Sequence, residues 1–190
     1  MPPRHRTRPA EELLHTVEDL HELRFPRQEE RAGDRWGGPG YHLVVLVESQ
    51  DFWEDRDTGL VEEAEAGVEA DRAALAELLT RRWGAPATVD LGARPGFAGT
   101  GTGTHTDPDF DAEEPEPIGF LSGVTSTLQV WLPGGSERWV GLAVGQADAE
   151  WPLQLLAAFA EASALPRRSP PDDRPPAGGR CQTRGAGSRT

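Results

Sequence analysis

A chain of 190 residues carrying nineteen basic residues against thirty-two acids has a net charge of -13, a field that repels phosphate backbones and makes nucleic acid an unexpected partner. Cys181 is the single cysteine, which excludes an intrachain disulfide and a zinc cluster built on several cysteines and suits a cytoplasmic setting. No segment approaches the ~20 apolar residues of a membrane span, and the basic start MPPRHRTRP leads into Glu11 and Glu12, not into an apolar signal region.

The basic residues are all Arg, and the chain has no Asn and only one Ile, the usage that a GC-rich bacterial genome produces; Arg content is therefore poor evidence for nucleic-acid binding. Charge is uneven. Residues 41–164 hold six Arg and twenty-two acids, whereas 165–190 hold six Arg and two acids. The latter stretch, dense in Pro, Gly and Arg, lacks the apolar area to offset the entropy of ordering, and a disordered tail is expected there. The organisation expected is an N-terminal segment over 1–40, one acidic domain over 41–164 and that tail.

Along the chain, Leu13, Val17 and Leu20 fall within roughly 60° of one another on a helical wheel, predicting a short amphipathic helix from Ala10 to Arg24 that Pro26 ends. Residues 27–40, closing in Gly-Gly-Pro-Gly, are expected to be a linker. His42–Glu48 is apolar on both faces and rich in β-branched residues, as an interior strand is. After an acid-rich connection, Val61, Ala64, Val68, Leu75 and Leu79 form one stripe of a helix running to about Trp83, with Gly84 and Pro86 as its stop. Ala87–Leu91 then predicts a short strand, completing a β-α-β unit, and Gly119–Leu121 a brief edge strand.

A hairpin is predicted from 126–132 and 137–144. Pairing Val130 with Val140 gathers Leu128, Val130, Val140 and Leu142 on one face and makes Trp131 and Trp139 cross-strand neighbours on the other. The last element expected is a helix from about Trp151 to Ala164, with Pro152 in its first turn. The fold class expected is α+β: a two-layer sandwich with a mixed sheet of four or five strands, two helices packed on it, and the N-terminal amphipathic helix.

Residues 96–111, GFAGTGTGTHTDPDFD, test three chemistries. A Walker loop needs a Lys that the chain does not possess, and the Gly99, Gly101, Gly103 pattern is followed by His-Thr-Asp-Pro where a dinucleotide site needs a helix. Asp107, Asp109 and Asp111 match the opening of a calcium loop, with His105 as a further ligand, but Ala112 stands where Gly is needed and Ile118 where the bidentate Glu is needed. A solvated acidic loop is the expectation, and a metal site on these four residues the alternative. His21-Glu22-Leu23-Arg24-Phe25 lacks the second His of a zincin motif, and Gly119–Gly123 places Ser122 one position late for a nucleophile elbow.

Two sets of residues remain as binding candidates. Asp51, Glu54 and Asp55 follow the interior strand with Trp53 among them, at the strand end where open sheets tend to bind ligands. Trp131 and Trp139 are core if a helix covers their face and an aromatic platform if none does. No cofactor is expected. The function these features favour is a non-enzymatic module presenting an acidic surface to a basic protein partner. The rival is a small hydrolase or metal-dependent enzyme using the acids of 51–57 and 105–111.

Overall fold

The computed structural model describes residues 8–54, 57–92 and 115–165. Helix α1, Ala10–Glu22, buries Leu13, Val17 and Leu20 and carries Glu11 and Glu12 in its first turn, where the helix dipole favours acids. Strands β1 (Glu30–Ala32), β2 (Arg35–Gly38) and β3 (Tyr41–Glu48) form an antiparallel meander. Helix α2, Thr58–Trp83, starts at Asp57, whose side chain accepts the Gly59 N–H, and stops at Gly84 with φ of 90°, a conformation that favours glycine. Then come β4 (Ala87–Asp90), α3 (Ile118–Val124), β5 (Thr127–Trp131), β6 (Arg138–Gly145) and β7 (Gln154–Glu161).

All seven strands form one sheet, ordered β1-β2-β3-β7-β6-β5-β4, with every neighbouring pair antiparallel. The protein is therefore α+β, as expected, but the sheet is larger than four or five strands and has no parallel neighbours. In particular β3 and β4 run the same way yet are separated by β7, β6 and β5, and α2 crosses the sheet between them, touching β3, β7, β6 and β5.

Three further expectations are corrected. Residues 27–40 are not a linker, because they hold β1 and β2. The signals are two tight turns: Gly33 (φ 62°) with Asp34 between Ala32 and Arg35, and Pro39-Gly40 (φ 86°) between Gly38 and Tyr41. Residues 119–121 lie within α3, not in an edge strand. Most of the expected final helix, 151–164, is β7, the central strand between β3 and β6. Ala and Leu favour helix intrinsically, but here tertiary packing overrides that preference. Ala160 lies directly between Trp139 and Tyr41, and Ala158 between Leu43 and Gly141, so small residues make room beside large ones.

The hairpin register differs by one residue from the prediction. Trp131 pairs with Val140 and Val130 with Gly141, across the six-residue connection 132–137. This places Trp131 with Val140 and Leu142 in one core and Leu128 and Val130 with Trp139 in the other. Gathering all four aliphatic residues on one face is the solution for a sheet with a single apolar side; here both faces are covered, and the pleat sends apolar residues each way. Helices α1 and α2 cover the first face, over Val44, Leu46, Leu155 and Phe159, and α3 covers the second with Ile118 and Leu121. Among the described residues no helix is long and apolar enough to cross a membrane.

Candidate functional site

At the β1-β2-β3 end of the sheet, an open cleft of about 390 Å³ is lined by Glu29, Glu30, Arg31, Trp36, Gly37, Tyr41, Glu116 and Phe120. Its walls are aromatic. Trp36 and Phe120 meet edge to face with centroids 5.1 Å apart, an arrangement that aromatic quadrupoles favour, and Tyr41 is buried beside them. The sequence builds this wall through glycine: a Cβ on Gly38 would stand 2.7 Å from Tyr41 Cε1, so only Gly lets that ring lie over β2.

Carboxylates surround the aromatics. Burial raises the Tyr41 pKa above its ordinary value, and the negative charges of Glu116 and Glu29 raise it further, so its hydroxyl stays neutral and able to donate. Glu30 pairs with Arg35 at 3.7 Å. Among the described residues Glu29 and Glu116 form no ion pair; Glu116 Oε2 accepts the Phe120 N–H at 3.3 Å. Arg31 lies over the indole of Trp36, its Cζ 5.5 Å from the ring centroid.

A second polar cluster joins α1 to the sheet. Arg138 Nη1 donates to the carbonyls of His21 and Leu23 at 2.9 and 2.6 Å, and its Cζ lies 4.0 Å from the Phe25 centroid. His42 is buried on the same side of the sheet, meets the Phe25 ring at a tilt with centroids 5.2 Å apart and donates from Nε2 to the Arg24 carbonyl at 3.2 Å, which leaves Nδ1 without a partner. Burial lowers the His42 pKa despite the Arg24 carbonyl, and Arg35 and Arg138 lower it further. His21 is half-buried against Trp83, with centroids 5.6 Å apart; burial and Arg138 lower its pKa as well. This cluster holds the helix to the sheet and shares no residue with the Trp36–Tyr41–Phe120 cleft.

The residues singled out from sequence are scattered. Trp131 and Trp139 are buried at 1% and 0% exposure on opposite faces, so they are core and form no platform. Asp51 and Glu54 are exposed and Trp53 is 62% exposed, beyond the far end of β3 from the cleft. Asp55, His105, Asp107, Asp109 and Asp111 lie outside the described residues, as does Cys181. Among the described residues no group of three His, Cys, Asp or Glu is placed to hold a metal ion. Five of the eight cleft residues, Glu29, Glu30, Arg31, Trp36 and Gly37, escape the sequence reading because they lie within residues 27–40, expected to be a linker. Recognising Gly33-Asp34 and Pro39-Gly40 as hairpin turns would have put Trp36 and Tyr41 on one face, since Gly38 pairs with Tyr41.

Comparison with protein-family models, with curated proteins and with solved structures finds no match, so the chemistry of the cleft alone carries the functional reading.

Proposed function

We propose that this protein is a non-enzymatic binding module that presents its acidic surface to a basic partner and takes one cationic side chain of that partner into the cleft between Trp36, Tyr41 and Phe120. The observation that carries this reading is the pairing of aromatic walls with the carboxylates of Glu29 and Glu116, neither of which has a cationic partner among the described residues. An ammonium or guanidinium group gains there both from the ring quadrupoles and from charge. The overall charge of -13 would steer such a partner from a distance. The proposed setting is the cytoplasm, and nucleic acid is not proposed as a partner. Of the acids that the enzymatic alternative would use, Asp51 and Glu54 are exposed and line no part of the cleft, and residues 105–111 lie outside the described residues.

Calorimetric titration of the full chain with an arginine-rich and with a glutamate-rich peptide tests the reading. Binding of the basic peptide alone is expected, weakening as salt rises from 20 to ~150 mM and the screening length falls to about 8 Å. Glu29→Gln and Trp36→Ala should each weaken it, whereas Glu62→Gln, a change of equal charge on the exposed side of α2, should do so far less. Equal binding by Trp36→Ala and the parent would remove the cleft from the account.

A further inference from the structure

We infer that Arg31 is a built-in competitor for the cleft, occupying the cation position on Trp36 until a partner's guanidinium or ammonium group displaces it. The inference rests on the cation-binding reading above and concerns how that same site is regulated. Its basis is the sheet register: Arg31 pairs directly with Trp36 across β1 and β2, so the contact of 5.5 Å between guanidinium and ring is set by the fold and not by a chance surface rotamer. Directly opposite residues in an antiparallel pair hold their side chains within mutual reach.

Two observations make Arg31 a displaceable occupant and not a fixed strut. Although Glu29 and Glu30 precede it in the chain, Arg31 forms no ion pair among the described residues and lies on the aromatic face instead. Its strand β1 is three residues long, exposed throughout, and paired on one side only as the edge of the sheet. Moving such a side chain gives up one exposed cation–π contact and little else. An incoming cation meets the same ring and, in addition, the Glu29 and Glu116 carboxylates. The closeness of Arg31 to the site also favours a guanidinium ligand, since the cleft already accommodates that group.

The experiment is an NMR titration of the full chain with an end-blocked pentapeptide carrying a single arginine, repeated for Arg31→Gln, Arg27→Gln and Trp36→Ala. An exposed cation–π contact is worth a factor of about two to five in an equilibrium constant, so Arg31→Gln should bind the peptide about two- to five-fold more tightly than the parent. Arg27 is exposed and lies outside the cleft, so Arg27→Gln removes the same charge without freeing the ring. It should leave affinity nearly unchanged. Equal gains in both variants would reduce the effect to net charge and overturn the inference, as would unchanged or weaker binding by Arg31→Gln. Those outcomes leave the cleft reading standing if Trp36→Ala still loses affinity. Unaltered binding by Trp36→Ala, or no binding by any form, would overturn the reading and the inference together. The amide spectrum of each variant reports directly whether the fold is retained.

Discussion

Trp131 and Trp139 stand on opposite faces of the same two-stranded ribbon, and they differ in how their indole nitrogens are satisfied. Trp131 donates from Nε1 to Thr80 Oγ1 of α2 at 3.4 Å, whereas Trp139 Nε1 is buried without a partner. Truncating either to Ala should cost about 3–5 kcal/mol, the usual cost of removing a large aromatic side chain from a core. Substitution by Phe separates them. Trp131→Phe surrenders a hydrogen bond and leaves Thr80 short of a donor, so it should cost about 0.5–1.5 kcal/mol more than Trp139→Phe, which loses none. Urea unfolding of the two variants gives the difference, and the reverse order would mean that Trp139 Nε1 finds a partner in solution.

The same pair shows how much of the fold could be read from residues alone. Helix α1, helix α2, strand β3, strand β4 and the β5-β6 hairpin were legible because each carries a strong local signal: an apolar stripe, a cap, or a β-branched run. The hairpin register and β7 were not. Both depend on whether a sheet face is covered, and the segment 154–161 is apolar at nearly every position, so neither a period of two nor one of 3.6 stands out. The cleft was illegible for a different reason. Tyr41 opens β3 one residue before the apolar run that signals it, and Trp36 and Gly38 sit in a two-turn meander whose strands are three and four residues long, too short for alternation to show.

The glycines of β2 should tolerate no side chain. A Cβ on Gly37 would fall 2.7 Å from the Tyr41 carbonyl oxygen and 2.9 Å from His42 Nδ1, on the face opposite the cleft. The first of these contacts is with backbone, which cannot swing aside. Gly37→Ala is therefore expected to destabilise by about 1–3 kcal/mol, as overpacking does. Gly123 offers the contrast, because a Cβ there meets nothing within 4 Å and the residue lies within α3. Gly123→Ala should be neutral or stabilising by up to about 1 kcal/mol. Thermal unfolding of both variants checks the contrast.

Arg138 anchors the end of α1. Its Nη1 serves the carbonyls of His21 and Leu23, two of the groups that a helix C-terminus leaves without partners. Arg138→Met keeps much of the side-chain stem but removes both bonds and the charge over Phe25. A loss of about 1.5–3 kcal/mol is expected, with faster hydrogen exchange concentrated in the last turn of α1. Uniform acceleration across the sheet, with α1 no more affected than β6, would contradict the anchoring role.

Mild acid should weaken the fold through His42. His42 is buried and faces the Phe25 ring, the Arg24 and Leu23 carbonyls, and the charges of Arg35 and Arg138; burial dominates, and its pKa lies below the ordinary 6.5, as does that of His21. Well above pH 6.5 both rings are neutral in the folded and unfolded chains and contribute no pH dependence. As the pH falls through 6.5, the unfolded chain takes up protons that the folded chain refuses, so stability declines until the folded pKa is passed. His42→Phe preserves a ring against Phe25 while removing the titration, and the surface acids are common to both proteins. The parent should therefore lose more stability than His42→Phe between pH 7 and pH 5.5, whatever their difference at pH 7, as measured by urea midpoints across that interval. Parallel profiles would mean that His42 is protonated as readily in the folded protein as in the unfolded chain.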